Sequence, residues 1–241
     1  MIKPLISIII VTYNAQGTIE ECIKSILSQS KCYELIVIDG LSTDNTVCIL
    51  EKYKKDINYF ISEKDQGIYH AMNKGIDACN GEFIYFIGSD DVFYSEDTIN
   101  KIKNSLQNNR PDLILGNIKY YNGLTIKPRF NSLLVLHNSI HHQGTFYNRK
   151  LFEEFRFDEN YRIIADYELN LRCYINKSSL KIIKTDLIIA LCSKEGLSHS
   201  SSNLFLKETN EIRSKYFNVF TNYFLNFLLL FKLKLINSFK S

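Results

Sequence analysis

The chain has 241 residues, 45% of them hydrophobic and 23% charged, with 10 glycines and 3 prolines. That is enough apolar material for one sizeable core, and it excludes a disordered, collagen-like or low-complexity chain. The formal net charge is +3, but the surplus is local: after residue 202, six Lys and Arg face two Glu, while the body is nearly balanced. A balanced body gives no expectation of nucleic-acid binding.

The first 90 residues alternate between strand and helix signals. Residues 5–12 (LISIIIVT) form a β-branched apolar run, expected as a strand buried on both faces. Residues 18–28 then place Ile19, Cys22, Ile23, Ile26 and Leu27 on one face of a helix. A second strand is expected over 34–39 (ELIVID), and a helix opening at Ser42 or Thr43, where a hydroxyl can cap it. A third strand follows at 57–62, a helix over 67–79 and a fourth strand over 82–87 (EFIYFI). This alternation predicts βαβ units, a mostly parallel sheet, and ligands at the carboxyl ends of its strands.

Beyond residue 91 the pattern loosens. A helix is expected over 95–107, one or two strands over 112–121, and an irregular stretch over 122–148 with His137, His141 and His142 in it. Residues 165–176 read as a helix, 180–192 as strand-rich, 193–202 as a polar, serine-rich loop, and 203 onward as helical. The six cysteines lie far apart with no C-x-x-C pair, so neither a zinc site nor a disulfide framework is expected, and the thiols read as reduced and cytosolic. The N-terminus runs straight into the first strand, with no signal-peptide pattern.

Polar residues follow all four apolar strands: Thr12-Tyr13-Asn14, Asp39-Gly40, Glu63-Lys64-Asp65 and Ser89-Asp90-Asp91. The Asp90–Asp91 pair cannot be buried without a compensating cation. A hard divalent ion shared with diphosphate oxygens would supply it, although the same pair also suits a simple turn. Asp39 beside Gly40 can accept from a base N–H or a sugar hydroxyl, or can close an Asx turn. The stretch 62–76 (SEKDQGIYHAMNKGI) sets polar residues on and before a helix N-terminus, which favours anions.

Four segments in order, 11–30 (VTYNAQGTIEECIKSILSQS), 34–46 (ELIVIDGLSTDNT), 62–76 and 81–91 (GEFIYFIGSDD), closely resemble the family 2 glycosyltransferases. These have the type A nucleotide-diphospho-sugar transferase fold. The nearest subgroup is that of bacterial surface polysaccharides, of the colanic acid and O-antigen kind. The resemblance continues through 141–152 (HHQGTFYNRKLF) and 163–172 (IIADYELNLR). It implies that Thr12 and Asn14 line the nucleotide pocket and that Asp39 contacts the base. Asp65, Asn73 and Lys74 would stand near base and diphosphate, Asp90 near the ribose, and Asp91 would hold Mg²⁺ or Mn²⁺. Two departures stand out: Ser89 precedes the Asp pair where many relatives have Asp, and His70 follows Gly-Ile-Tyr where Asp is frequent. By itself Asp166 reads as a first-turn acid that suits the helix dipole. The resemblance makes it the catalytic base, and puts His142 and Gln143 on the acceptor side.

The tail adds its own pattern. No residue from 216 to 231 is charged, yet Asn218, Asn222 and Asn226 recur every four residues, continuing back to Lys215. No apolar run approaches the ~20 residues that span a bilayer. A helix lying in an anionic membrane surface, with Lys232, Lys234 and Lys240 toward lipid, is expected, against a helix packed on the domain or on a second copy.

The expected architecture is thus a single α/β type A glycosyltransferase domain over 1–202, plus an amphipathic helical tail over 203–241. Residues 1–92 would bind the nucleotide-sugar, and 93–202 would supply the acceptor pocket and the base. The expected reaction is inverting transfer from a nucleotide-sugar, UDP-hexose by resemblance, to a polyprenyl-diphosphate-linked saccharide at the inner face of the cytoplasmic membrane. The rivals are a nucleotidyltransferase of related fold, disfavoured by the absence of Arg in 12–17, and a non-catalytic membrane-associated binding protein.

Overall fold

The computed structural model describes residues 4–106, 110–193 and 202–238. The first half runs β1 (Ile6–Thr12), α1 (Ile19–Leu27), β2 (Tyr33–Asp39), α2 (Thr46–Lys52), β3 (Tyr59–Ser62), α3 (Ile68–Ala78) and β4 (Phe83–Gly88). The second half contributes β5 (Val92–Phe93), α4 (Thr98–Leu106), β6 (Leu113–Tyr120), β7 (Thr125–Ile126), α5 (Leu133–Leu136), β8 (Thr145–Asn148), α6 (Ala165–Ile175) and β9 (Ile182–Cys192). Two helices close the chain, α7 (Ser202–Ser214) and α8 (Val219–Ser238). The expected α/β class and mostly parallel sheet are observed.

The strands form a nine-stranded sheet in the order β3-β2-β1-β4-β8-β6-β9-β5, with β7 paired to β6. The strands β1 to β4 run parallel. Strand β8 then runs antiparallel to both β4 and β6. The chain leaves β1 toward β2 and β3 and returns to β4 on the other side of β1. The switch point therefore lies between β1 and β4, where the carboxyl ends of both strands open a crevice. Because β8 is reversed, the turn before Thr145 reaches the same edge as the end of β4.

Both faces are covered, which is why the early strands read as continuous apolar runs. On β1, Ile9 and Val11 pack toward α3 and α6, whereas Ile6, Ile8 and Ile10 pack toward α1, α2 and α4. Gly75 lets α3 settle close to the sheet: a Cβ there would stand 2.5 Å from Ile9 Cγ2. All six cysteines are free thiols.

Two local expectations change. Helix α2 begins at Thr46, not at Ser42 or Thr43, because the Ser42 hydroxyl serves Asp39 instead. The tail is two helices. Asn218 caps the second by accepting from Thr221 N at 2.9 Å, so Asn218 and Lys215 stand outside the α8 stripe. The polar side of α8 also faces inward. Asn222 and Asn226 donate to Asn210 of α7 at 2.9 and 2.5 Å, and buried Arg213 donates to Asn226. The aromatic side faces outward, with Phe220 89% and Tyr223 78% exposed. Most of the serine-rich loop, 194–201, lies outside the described residues, as does Lys240 and the side chain of Lys234.

Candidate active site

One group of candidate residues is built from the loops after β1, β2 and β3. Asp39 is fully buried and accepts from Ser42 N at 2.9 Å, from the Ser42 hydroxyl at 2.5 Å and from the Ser62 hydroxyl at 2.6 Å. These bonds tie the ends of β2 and β3 together. Asn14 and Leu41 adopt left-handed backbone, φ 50° and 66°. Asn14 tolerates it because its Oδ1 accepts from Thr43 N at 2.8 Å, while Asn14 N donates to Ser42 Oγ at 2.8 Å. Thr12 Oγ1, at the end of β1, is buried without a hydrogen-bond partner.

Asp65 Oδ1 accepts from Gly67 N at 2.9 Å, and its Oδ2 lies 2.5 Å from where a Cβ on Gly40 would stand. Gly40 is thus what lets Asp65 reach the end of β2. Lys74 pairs with Glu63 at 2.7 Å. His70 Nδ1 accepts from Gln66 N at 3.1 Å and closes the turn before α3, a structural role. Asn73 is not brought to this group. Its amide donates to Phe157 O and Glu159 Oε1, and its Oδ1 accepts from Phe157 N. Every polar atom is committed, so Asn73 ties α3 to the segment before α6 instead of reaching a ligand.

The two aspartates after β4 crowd around Gly88. Asp90 Oδ1 and Asp91 Oδ2 each lie 2.8 Å from where a Cβ on Gly88 would stand, so any side chain there would fill the space between them. Asp91 is buried, and accepts from Ser193 N at 3.0 Å and Gln143 Nε2 at 3.1 Å. Burial, and then the charge of Asp90, push its carboxyl up to about 6. The thiols of Cys22 and Cys192 are raised by burial first and then by these aspartates. Among the described residues no three His, Cys, Asp or Glu converge on one point. Asp90 and Asp91 are the carboxylates that could hold a hard cation here, with its other positions left to a ligand such as a diphosphate.

Asp166 sits in the first turn of α6. It accepts from Tyr69 OH at 3.3 Å and Asn138 Nδ2 at 3.0 Å, and His142 Nδ1 lies 3.5 Å away, an ion pair when protonated. Behind Asn138 the chain of bonds continues: Asn170 Nδ2 donates to Asn138 Oδ1 at 3.1 Å, and Tyr147 OH donates to Asn170 Oδ1 at 3.0 Å. His142 and Gln143 lie in one 3-10 turn, so adjacent residues touch Asp166 and Asp91 respectively. Tyr85 OH fixes that turn by donating to Gln143 O at 2.8 Å. Tyr69 and Asn138 were not singled out from the sequence. Tyr69 stood inside a motif, but Asn138 stood in a stretch without periodicity.

Residues 7–169 match the family model described as Glycosyl transferase family 2. The chain belongs to that family. A PGL/p-HBAD biosynthesis glycosyltransferase of Mycobacterium tuberculosis is 33% identical over 189 residues, covering 73% of this glycosyltransferase and 72% of that one. The poly(ribitol-phosphate) beta-N-acetylglucosaminyltransferase TarS of Staphylococcus aureus is 23% identical over 222 residues, 86% of this chain and 39% of TarS. The crystal structure of TarS 1-349 in complex with UDP-GlcNAc superposes with a TM-score of 0.73 at 22% identity, covering 94% of this chain and 71% of that one. The chain spans 43% of the longer TarS chain of known structure. The mannosyltransferase PcManGT of Pyrobaculum calidifontis, in complex with GDP-Man and Mn²⁺, superposes with a TM-score of 0.60 at 18% identity over 89% of this chain and 62% of that one. The type A fold is therefore that of this glycosyltransferase too.

Proposed function

We propose that this glycosyltransferase moves a hexose from a UDP-sugar to a lipid-linked saccharide in the building of a bacterial surface polysaccharide, with inversion at the anomeric carbon. One observation carries the reading: a single short turn touches both key carboxylates, Gln143 on Asp91 and His142 on Asp166. A leaving-group site and a base thus flank one crevice. The UDP-GlcNAc bound in the TarS complex supports a UDP-sugar.

In this reading Thr12, Asn14, Asp39 and Asp65 form the nucleotide pocket, with the unpaired Thr12 hydroxyl available at its floor. Lys74 stands beside the diphosphate and Asp90 beside the ribose. Asp91, aided by Asp90, would hold Mg²⁺ or Mn²⁺, which when bound neutralises charge on the leaving diphosphate. Asp166 takes the proton of the acceptor hydroxyl as that oxygen attacks the anomeric carbon. The bond from that carbon to the diphosphate oxygen breaks on the opposite side, and its electron pair leaves with UDP. His142 and Gln143 line the pocket between the two carboxylates.

The outward face of α8 gives the lipid-linked acceptor its physical rationale. Phe220, Tyr223, Phe224, Phe227 and Phe231 are all exposed on it, while no described helix is long and apolar enough to cross a membrane. Such a face suits docking on an anionic cytoplasmic leaflet, with the aromatic rings supplying the affinity and the basic tail the preference for charge. A thermal-shift screen of UDP-, GDP- and dTDP-sugars, with and without Mn²⁺, tests the donor. The largest rise should come with a UDP-hexose plus Mn²⁺; a larger rise with a GDP- or dTDP-sugar would refute the UDP assignment.

A further inference from the structure

The family model ends at residue 169, yet the groups that hold Asp166 are themselves held from beyond it. Helix α6 has no side-chain cap of its own at Ile164. The three residues that lead into it are held by a carboxylate from α7: Arg162 N donates to Glu208 Oε1 at 2.8 Å, and Ile163 N and Ile164 N donate to Glu208 Oε2 at 3.2 Å each. Glu208 is only 3% exposed. A carboxylate at that depth is tolerated because these three donors fill it. All three stand within four residues of Asp166, and the last is two residues before it. The junction after α7 grips the same helix again. Lys215 Nζ donates to both oxygens of Glu168, at 3.1 and 3.0 Å, and to Asp158 Oδ2 at 3.1 Å.

Asn138 holds the base beside Tyr69, and the segment before Asn138 is gripped from the tail as well. Buried Arg213 donates to Leu136 O at 3.4 Å, and Lys232 Nζ lies 2.5 Å from His137 Nε2. The two C-terminal helices thus clamp two supports of Asp166, the segment 162–164 that leads into it and its Asn138 partner.

We propose that the C-terminal helix pair positions the base, and that Glu208 is its principal positioning residue. This rests on the assignment of Asp166 as base. Glu208 touches no reacting atom; it fixes the entry of α6, and through it the reach of Asp166 toward the acceptor hydroxyl. A displacement of about 1 Å at such a carboxylate costs up to about a hundredfold in rate, whereas the donor loops, held by their own bonds to Asp39, are untouched.

The test uses the full chain with Glu208→Gln, which places an amide N–H against backbone N–H groups, and Lys215→Met, which frees Glu168. Amide hydrogen exchange is followed over 162–168 and over the donor loop 39–46. Release of UDP into water is followed with UDP-glucose and with UDP-N-acetylglucosamine in Mn²⁺, alongside Asp166→Asn. Glu208→Gln should speed exchange over 162–168 at least tenfold and leave 39–46 unchanged. Turnover at saturating donor should fall about tenfold or more, with donor KM within twofold of the parent. Exchange that stays slow over 162–168, or quickens equally over 39–46, overturns the inference, as does a loss of UDP affinity equal to the loss of turnover. If Glu208→Gln does not fold, the same readouts on Lys215→Met decide. Retained turnover in Asp166→Asn refutes the base assignment itself, and is distinguished from failure of the positioning inference by faster exchange over 162–168 in Glu208→Gln.

Discussion

Asp39 is held by Ser42, three residues on, and by Ser62 at the end of the neighbouring strand. Asp166 is held by Tyr69, 97 residues back, by Asn138, and through the residues just before it by Glu208 far downstream. The proposed donor side is thus assembled from short loops on adjacent parallel strands, and the proposed acceptor side from distant parts of the chain. A pocket of the first kind is nearly preformed once the sheet forms. One of the second kind depends on how later elements dock, and so it is the side where remote changes should reach the chemistry.

The sharpest break between the sides comes at Asp91. Asp91→Ala removes the buried carboxylate and should lower Mn²⁺-dependent transfer by about 10³-fold or more, the scale of lost charge stabilisation on a leaving group; initial rates against Mn²⁺ concentration check this. Next in size is Asn138→Ala. Asp166 would keep Tyr69 and His142 but lose the bond that Asn170 and Tyr147 support from behind. Turnover should fall about tenfold, and UDP affinity, read by calorimetry, should not move.

The same division decided what the sequence could tell. The residues proposed for the donor side stood out because they cluster at strand ends: Thr12, Asp39, Asp65 and Asp90–Asp91 each close or follow an apolar run. Asn73 was placed by resemblance alone, which says nothing of its neighbours; here its amide is bonded to Phe157 and Glu159. Asn138 and Glu208 carried no signal, since neither a stretch without periodicity nor a charged position on a polar tail helix says what it will dock against. The asparagine stripe of the tail was visible, but its direction was not. A polar stripe turns inward when the partner helix offers polar groups of its own, and Asn210 and Arg213 do so.

Smaller effects refine the comparison. Asp91 has its folded-state pKa raised to about 6 from an ordinary 3.8, so the folded state holds the proton more tightly than the unfolded chain. Its contribution to stability is therefore present at low pH and declines as pH climbs from about 4 to about 6, by up to roughly 3 kcal/mol. In metal-free protein the melting midpoint of the parent should show this decline, and Asp91→Asn should reduce it; an unchanged pH dependence in the variant would mean that Asp91 is not strained by its burial. The smallest effect concerns the outer face of α8. Phe220→Ser with Phe224→Ser should weaken flotation with anionic vesicles several-fold, leave the melting midpoint within a degree or two, and leave UDP binding intact. Flotation should also weaken in high salt.

The division of labour between Asp91 and Asp166 is tested most directly by Asp166→Asn, measured for both turnover and UDP affinity in the presence of Mn²⁺. The substitution keeps the shape and removes the basicity. Turnover should fall by roughly 10²–10⁴, while the dissociation constant for UDP stays within about twofold of the parent. An equally large loss of UDP affinity, or turnover near that of the parent, would contradict Asp166 as the base on the acceptor side of the crevice.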